Sequence, residues 1–515
     1  MSAANEKLAS SLEQLARVQG SRRVLRSSVL SRVHRERLVR SGFLRQAARG
    51  WLFVSSPADP PDDATGWYGC FWEFCAAHCE HRFGDVWHIS AEGSILRHAG
   101  ADAIPRQVIV CSPLASNNSI DLPHGTSLLD IRPRGGIDLA DVTVDDEGLR
   151  LLKAEAALVR IGEKFFETHG ITVRTVLAQI GDGRDLLRRL LGGAHTIVAG
   201  RLAGAFRSVG RTDIADDLLE GMRSAGHRVR ETSPFEAASP ARMPRPAEHP
   251  AAARLEVMWE SFRDTVASVM PDAVGRSADV EAYMADVDER YQTDAYHSLS
   301  IEGYHVSPQL IERVRAGSWN PSSDRGDASA RDAMAARGYW QAFRHVRDAV
   351  EAVAKGADPA RIVRDRHQTW FRALFAPSAT IELVGADYLI GYRNQAVFLS
   401  GSRHVPMRWE AVPEAMERFF DLLAAEQESS VRAVLGHFFF VFIHPYQDGN
   451  GRMARLLMNT MLAAGGYPWT VIRVEDRQEY MEALETASSD QSIEAFATFI
   501  AERVDPSQNV GKTRG

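Results

Sequence analysis

The stretch VRAVLGHFFFVFIHPYQDGNGRMARLLMNTMLAAGG, residues 431–466, decides the fold of the second half of the chain. It begins with an apolar run that predicts a buried helix ending at His444, because Pro445 disfavours helical backbone in the residue before it. The turn formers of residues 448–451 follow, and a helix with one apolar face extends from there to Gly465. We therefore predict two helices joined by a polar turn with a histidine beside it.

Residues 448–451, Asp-Gly-Asn-Gly, have the composition of a turn that binds an anion. The two glycines permit backbone conformations that aim successive N–H groups at one point. The turn also precedes a predicted helix, and the N-terminus of a helix attracts negative charge. Turns of this composition also join helices that bind no ligand, so the residues around the turn decide whether it is an anion site.

Two arginines follow the turn at a spacing that places them on one side of the helix. Arg452 and Arg455 are three residues apart, and both project from its first turn. Two guanidinium groups there oppose the helix dipole unless an anion joins them. A polyphosphate meets this demand, Asp448 supplies an oxygen ligand for its Mg²⁺, and His444 can accept a proton near neutral pH. The alternative is a helix–turn–helix junction with a hydrogen-bonded histidine and surface arginines.

The sequence HPYQDGNGRMAR, residues 444–455, resembles the signature of Fic domains, His-Pro-Phe-x-(Asp/Glu)-Gly-Asn-(Gly/Lys)-Arg-x-x-Arg. The one departure is Tyr446, which stands where the signature has Phe. That aromatic ring packs inward in the family, so we expect the added hydroxyl to need a hydrogen-bond partner or a water without abolishing function. The resemblance covers about residues 277–475 and implies a mainly α-helical catalytic core.

The resemblance implies a protein adenylyltransferase that uses ATP and Mg²⁺. His444 would deprotonate a Ser, Thr or Tyr hydroxyl of a target protein; its oxygen attacks the α-phosphate of ATP, AMP is attached and pyrophosphate leaves. Asp448 would hold Mg²⁺ between the α- and β-phosphates, Arg452 would bind the β-phosphate and Arg455 the γ-phosphate. Gly451, where other members have lysine, favours adenylylation over phosphorylation. The implied nucleotide-binding residues are Gly449, Asn450, Gly451, Arg452 and Arg455.

The sequence SLSIEG, residues 298–303, resembles the inhibitory signature of the same family, (Ser/Thr)-x-x-x-Glu-(Gly/Asn). Ser298 and Glu302 are four residues apart and therefore share one helix face, and Gly303 predicts the end of that helix. The resemblance implies that Glu302 pairs with Arg455 and blocks the γ-phosphate, so the enzyme inhibits itself. Without the family, the same residues predict only a helix end with an exposed acid.

Residues 388–407 alternate in polarity between turn formers, which predicts a β-hairpin. The hairpin resembles the flap with which Fic domains clamp a target segment by strand addition. Val397 and Leu399 are the residues that we expect to contact the target.

The first fifty residues carry eleven Lys or Arg against three Glu, a local charge of +8, so the remainder of the chain, whose total is -7, carries -15. Helical periodicity followed by a hairpin around Arg49 and Gly50 predicts a winged helix, and the region faintly resembles the winged-helix part of bacterial abortive-infection antitoxins. DNA binding and a basic packing or dimerisation surface both remain open. The candidate DNA-binding residues are Arg32, Arg35, Arg37 and Arg40.

The predicted fold is multidomain: a mainly α Fic domain with a β-hairpin flap, preceded by an α+β region with an N-terminal winged helix. Residues 1–60 form the winged helix and residues 61–232 an α+β domain of unassigned role, with strands at DVWHI, RQVIVC and TSLLDI and one helix over 146–168. Residues 233–251, rich in Pro and Ala, form a linker, and residues 252–515 form the Fic domain.

Composition predicts a cytoplasmic protein. No apolar run is long enough to cross a bilayer, and the four cysteines are too few to staple a chain of 515 residues. The cysteines of CFWEFCAAHCEH favour a buried helix face over a zinc site, because the spacing lacks paired knuckles. Five lysines among sixty basic residues are typical of a high-GC bacterium.

Three functions remain open at the level of sequence. The first is a self-inhibited protein adenylyltransferase. The second is a bifunctional enzyme in which Glu302 also orients water to remove AMP. The third is a DNA-binding regulator or antitoxin whose Fic core only senses nucleotide. The expected partners are a target protein with an acceptor hydroxyl and DNA, with no membrane, and a homo-oligomer remains open.

Overall fold

A computed structural model of the chain describes residues 3–60, 63–101, 103–134, 137–235, 249–319 and 330–504. The chain forms two compact units. The first unit consists of Met1–Pro246 with Val397–Val405, and the second of Ala247–Ala396 with Pro406–Gly515. The predicted linker at 233–251 lies largely outside the described residues. No helix in the described ranges combines the length and apolar character needed to span a membrane.

The N-terminal part of the first unit places two helices against a small sheet. Its elements are α1 (Ala3–Gln19), β1 (Val24–Arg26), α2 (Arg32–Arg40), β2 (Leu44–Ala48) and β3 (Trp51–Val54). The strands pair antiparallel in the order β1-β3-β2, and β2 and β3 flank the turn predicted at Arg49 and Gly50. Ser31 caps α2 by accepting a hydrogen bond from the backbone N–H of His34. The buried side chains at its centre are leucines, including Leu15, Leu38 and Leu52.

The middle of the first unit is an α+β layer. Its elements are α3 (Thr65–Tyr68), α4 (Phe71–Phe83), β4 (His88–Ile89), α5 (Ala91–His98), β5 (Gln107–Cys111), β6 (Ser119–Asp121), β7 (Ser127–Ile131), β8 (Val142–Val144) and β9 (Arg150–Leu152). The first four strands form one sheet in the order β4-β5-β7-β6, and β8 pairs with β9. The three strands predicted in this region are confirmed as β4, β5 and β7.

A helical layer completes the first unit, with α6 (Ala154–Leu158), α7 (Glu163–Thr168), α8 (Gly170–Gln179), α9 (Arg184–Gly192), α10 (Thr196–Ser208) and α11 (Thr212–Ser224). The single helix predicted over 146–168 is wrong, because this stretch contains β9, α6 and α7. Gly148 takes a φ of 81° in the turn before β9, and Gly162 lies between α6 and α7. Both glycines interrupt a pattern whose leucines suggest a continuous helix.

The second unit is helical in its described residues. Its helices are α12 (Pro250–Val269), α13 (Val280–Ile301), α14 (Pro308–Arg315), α15 (Ala330–Ala354), α16 (Pro359–Thr380), α17 (Val412–Ala425), α18 (Ser429–Ile443), α19 (Asn450–Ala464), α20 (Arg477–Ser489) and α21 (Glu494–Val504). The apolar run predicted as a buried helix is α18, and the helix predicted after the turn is α19. These two helices pack against each other, which fixes the turn between them.

The hairpin predicted over residues 388–407 is not formed, because these residues contain no strand. Their backbone groups bind elsewhere: the N–H of Arg393 donates to the carbonyl of Pro445 at 2.9 Å, and the carbonyl of Arg403 accepts from the N–H of Ile104 at 2.8 Å. The Arg393 side chain donates hydrogen bonds to the backbone carbonyls of Gln395 and Met407. The segment is therefore an irregular loop with a turn at its tip.

Candidate active site

His444 lies where α18 ends, in a backbone conformation that is uncommon for a side chain other than glycine. Its φ is 54° and its ψ is 60°, the left-handed region. Two contacts hold it there: its N–H donates to the carbonyl of Phe440 at 3.1 Å, and its carbonyl accepts from Nε of Arg393 at 2.8 Å. The buried Arg393 thus fixes the reversal that turns the chain out of the helix and into Pro445.

The imidazole of His444 is oriented by the helix that precedes it. Its Nδ1 lies 3.3 Å from the carbonyl oxygen of Val441. A carbonyl oxygen can only accept a hydrogen bond, so the neutral tautomer that fits this contact has its proton on Nδ1 and its lone pair on Nε2. This tautomer suits a group that accepts a proton through Nε2.

In the turn after His444, the side chain of Asn450 is hydrogen-bonded to the backbone, whereas that of Asp448 is partly exposed. The buried amide of Asn450 accepts from the N–H of Tyr446 at 3.0 Å and donates to the carbonyl of the same residue at 2.9 Å. Gly449 has a φ of 81°, and a Cβ there would lie 2.7 Å from the ring of Phe375. The turn therefore requires glycine at this position, and Asn450 stabilises the backbone of the turn with its side chain.

Asp448 is the one acid of the turn and the candidate ligand for Mg²⁺. One carboxylate oxygen accepts from the N–H of Gly449 at 2.6 Å, the other lies 3.5 Å from Nη2 of Arg452, and 47% of the side chain is exposed. In the described part of the chain, no group of three or more His, Cys, Asp or Glu side chains could hold a metal ion. A single exposed carboxylate fits Mg²⁺ that takes its other ligands from phosphate and water.

Arg452 and Arg455 both lie in the first two turns of α19, and both are buried rather than on the surface, with 1% and 2% of each residue exposed. Arg455 is tied to the end of α13. Its Nε donates to Oγ of Ser298 at 3.0 Å, and its Nη2 donates to the carbonyl of Ser298 at 3.0 Å and to Oε1 of Glu302 at 2.8 Å. The structure therefore brings together the three residues that the inhibitory signature singled out.

Glu302 is ionised in this arrangement. Burial alone would raise its pKa, but the positive charges of Arg455 and Arg452 outweigh burial and lower the pKa below its ordinary value. The carboxylate also lies against the turn, because a Cβ at Gly451 would come within 2.4 Å of its Oε1. The absence of a side chain at Gly451 thus leaves the space that the Glu302 carboxylate occupies.

Two groups beside Arg455 and Arg452 are not predicted from the sequence. Asp294 precedes Ser298 by one helical turn, is buried, and accepts a 2.5 Å hydrogen bond from the hydroxyl of Tyr339. Burial raises the pKa of Asp294 to about 6, although the Tyr339 hydrogen bond opposes the rise. The second group is the ring of Tyr304, 5.1 Å from Cζ of Arg452. The interval of four from Asp294 to Ser298, which repeats from Ser298 to Glu302, is the signal that could have found the first of them.

The remaining candidate residues lie in the first unit. Val397 and Leu399, predicted to contact the target, belong to the segment Val397–Val405 and are half-buried. On α2, two of the four predicted DNA-binding arginines donate hydrogen bonds to backbone carbonyls of the first unit. Arg35 donates to the carbonyl of Ser27 at 3.2 Å, and Arg37 donates to the carbonyl of Lys7 at 2.8 Å. The other two, Arg32 and Arg40, are exposed.

Comparison with known proteins gives a match over the region of this site. Residues 360–462 match the model of the Fic/DOC family. The chain is similar to the protein adenylyltransferase Fic of Nematostella vectensis, with 40% identity over 114 residues, which are 21% of this chain and 26% of that protein. It is also similar to the protein of the same name in Drosophila willistoni, with 40% identity over 115 residues, 22% of either chain. The match therefore spans about a quarter of the length of these relatives.

A solved structure, Fic-1 (aa134 - 508) from C. elegans, aligns with 66% of this chain and 97% of that chain at 18% identity, with a TM-score of 0.37. The two similar adenylyltransferases, from Nematostella vectensis and Drosophila willistoni, are animal proteins. Their source weighs against the bacterial origin expected from the low lysine content.

Proposed function

We propose that this chain, whose residues 360–462 form a Fic domain, transfers AMP from ATP to a Ser, Thr or Tyr hydroxyl of a target protein. One observation carries the proposal: a histidine whose Nδ1 faces a backbone carbonyl, a turn at a helix N-terminus and two buried guanidinium groups meet at the N-terminus of α19. The name of the curated relatives, protein adenylyltransferase, supports the same reaction.

The reaction that fits this geometry is an in-line displacement at the α-phosphorus. Nε2 of His444 takes the proton of the acceptor hydroxyl, and the oxygen forms a bond to the α-phosphorus. The bond from that phosphorus to the oxygen bridging to the β-phosphate breaks, and pyrophosphate leaves with both electrons of the bond. Arg452 and the N–H groups of the turn bind the β-phosphate, and Arg455 binds the γ-phosphate. A Mg²⁺ held by Asp448 would neutralise charge on the phosphate oxygens.

We propose further that Glu302 keeps the enzyme inhibited. Its carboxylate and the γ-phosphate of ATP are anions that need the same guanidinium group, that of Arg455. Ser298 and Glu302 occupy Nε and Nη2 of that group, so Nη1, which has no hydrogen-bond partner in the described residues, is the position left for a phosphate, and the Glu302 carboxylate nearby repels one. Activation then requires the end of α13 to move or Glu302 to rotate away.

The test is self-labelling with ATP carrying a label on the α-phosphate, with Mg²⁺ and the protein alone. We expect stronger labelling of Glu302→Gly than of the natural chain, and loss of about 10²–10⁴-fold when His444→Ala is added, since that is the usual contribution of a general base. His345→Ala in the same background is the matched control, because His345 is an exposed histidine on α15.

Labelling that survives His444→Ala would contradict the proposed chemistry. Nucleotide binding without labelling in any variant would favour the sensor over the enzyme. Loss of AMP from a labelled protein that depends on Glu302 would favour the bifunctional enzyme.

A further inference from the structure

The guanidinium group of Arg452 is held mainly by aromatic rings. Its Cζ lies 5.1 Å from the centre of the Tyr304 ring and 5.0 Å from that of Phe375. Its ion pair with Asp448 is long, with 3.5 Å between Nη2 and a carboxylate oxygen. Only 1% of Arg452 is exposed, and its Nε has no hydrogen-bond partner in the described part of the chain. Rings stabilise a buried cation through their faces without using its N–H groups, so the N–H groups that do not face Asp448 stay available to an anion.

The guanidinium group also borders the turn. A Cβ at Gly449 would lie 3.4 Å from Nη2 of Arg452 and 2.7 Å from the ring of Phe375. The ring, the guanidinium and the backbone of the turn are therefore packed together. An anion that accepts from the turn can accept from Arg452 without any large movement of either.

The backbone around Tyr304 is anchored by contacts in which the Glu302 side chain takes no part. Its N–H donates to the carbonyl of Leu299 at 3.1 Å, and the next N–H, of His305, donates to the carboxylate of Asp332 on α15 at 3.2 Å. Gly303, with a φ of 79°, separates the ring from the helix that carries Glu302. The Glu302 side chain can therefore leave Arg455 while the Tyr304 ring stays beside Arg452.

A second cation faces the same ring. Cζ of the exposed Arg331 lies 4.8 Å from the centre of the Tyr304 ring. Two guanidinium groups that share one ring repel each other, and an anion that binds near them relieves the repulsion. The Tyr304 ring therefore has two guanidinium groups beside it, one of which borders the turn.

We propose that Tyr304 positions Arg452 for the β-phosphate, so that it increases the affinity for nucleotides with two or more phosphates and contributes little to AMP. This proposal deepens the proposed function and rests on it. Tyr304 is a positioning residue: it acts through Arg452 and takes no part in the bonds that form or break.

The experiment is calorimetric titration of the full chain carrying Glu302→Gly with ADP and, separately, with AMP, both with Mg²⁺. Adding Tyr304→Ala should weaken ADP binding about 3- to 30-fold, the range expected when one cation–ring contact is lost, and leave AMP binding within about twofold. Tyr304→Phe keeps the ring and should keep the ADP affinity. In a chain that also carries Arg452→Ala, Tyr304→Ala should weaken ADP binding no further.

Equal weakening of ADP and AMP, or equal loss in Tyr304→Phe and Tyr304→Ala, would indicate a merely structural role and overturn the inference. ADP binding that depends on Arg452 but not on Tyr304 would overturn the inference about Tyr304 and leave the proposed function intact. ADP binding that resists Arg452→Ala would overturn the proposed function as well.

Discussion

Tyr446 shows what one added hydroxyl does inside a packed core. Its ring stacks on Phe371 with centroids 3.7 Å apart and an interplanar angle of 5°. The residue is fully buried, and within the described ranges its hydroxyl has no hydrogen-bond partner. The sequence predicted that the ring would pack inward, and it does. The partner expected for the hydroxyl is not supplied by the side chains around it.

We predict that Tyr446→Phe stabilises the protein by about 1 kcal/mol, because it removes a buried polar group that lacks a protein partner. The measurement is urea or thermal unfolding, with nucleotide affinity expected to stay the same. Tyr480→Phe is the matched control: this tyrosine is equally buried, but its hydroxyl lies 2.7 Å from Nε2 of His437, so its loss should destabilise. Destabilisation in both variants would mean that the Tyr446 hydroxyl is hydrogen-bonded in solution.

The residues of the site differ in how far the sequence could predict them. The spacing of Arg452 and Arg455 and the composition of the turn predicted an anion site without knowledge of the fold. The pairing of Arg455 with Glu302 joins residues 153 positions apart, so only the family resemblance could suggest it. Tyr304 was missed because an aromatic residue after a helix end has no signal that separates packing from a role beside a cation.

At the scale of the element, the end of α13 places three polar side chains on one face. Asp294, Ser298 and Glu302 recur every four residues, and the helix ends at the glycine that the sequence indicated. Its charged members behave differently. The pKa of Asp294 is raised to about 6 by burial, whereas the pKa of Glu302 lies below its ordinary value despite burial, because of Arg455 and Arg452.

We predict that inhibition by Glu302 does not change between pH 7.0 and 8.5. A carboxyl group whose pKa is lowered in the folded state stabilises that state above its unfolded pKa, near 4.5, and the stabilisation is lost only as the pH falls through the folded value. The pair with Arg455 therefore keeps both charges throughout this range, and Asp294 titrates below it. The ratio of self-labelling between Glu302→Gly and the natural chain should stay constant over this range. A ratio that falls towards one as the pH is lowered would identify protonation as the signal that releases the inhibition.

Elements with partners distant in sequence were the hardest to predict. The alternation over residues 388–407 fits a hairpin, but an isolated two-stranded hairpin is marginally stable in water, and other groups take its backbone hydrogen bonds. The cysteine-rich α4 was predicted well for the opposite reason, because its periodicity alone buries Cys75 and Cys79. Burial raises the pKa of both thiols, which keeps them protonated near neutral pH.

At the scale of the whole molecule, the charge is unevenly distributed along the chain. The first fifty residues carry +8 in a chain whose total is -7. Together with β3 they fold as two helices and a three-stranded sheet. In α2, Arg32 and Arg40 are exposed, while Arg35 and Arg37 bind backbone carbonyls. We propose that this part of the first unit binds duplex DNA through the phosphate contacts of Arg32 and Arg40.

We predict that the full chain binds a 20-base-pair duplex of arbitrary sequence at low salt, with an affinity that falls as salt rises, because phosphate contacts release counterions. Fluorescence anisotropy should show weaker binding and a smaller salt slope for the chain with Arg32→Gln and Arg40→Gln. Arg361→Gln is the matched control: Arg361 on α16 pairs with Asp365 one turn later, as Arg32 pairs with Glu36, and both arginine side chains are 82% exposed. If the control weakened binding as much, the effect would follow from total charge. If the natural chain bound no DNA at low salt, the basic helix would instead be a packing or dimerisation surface.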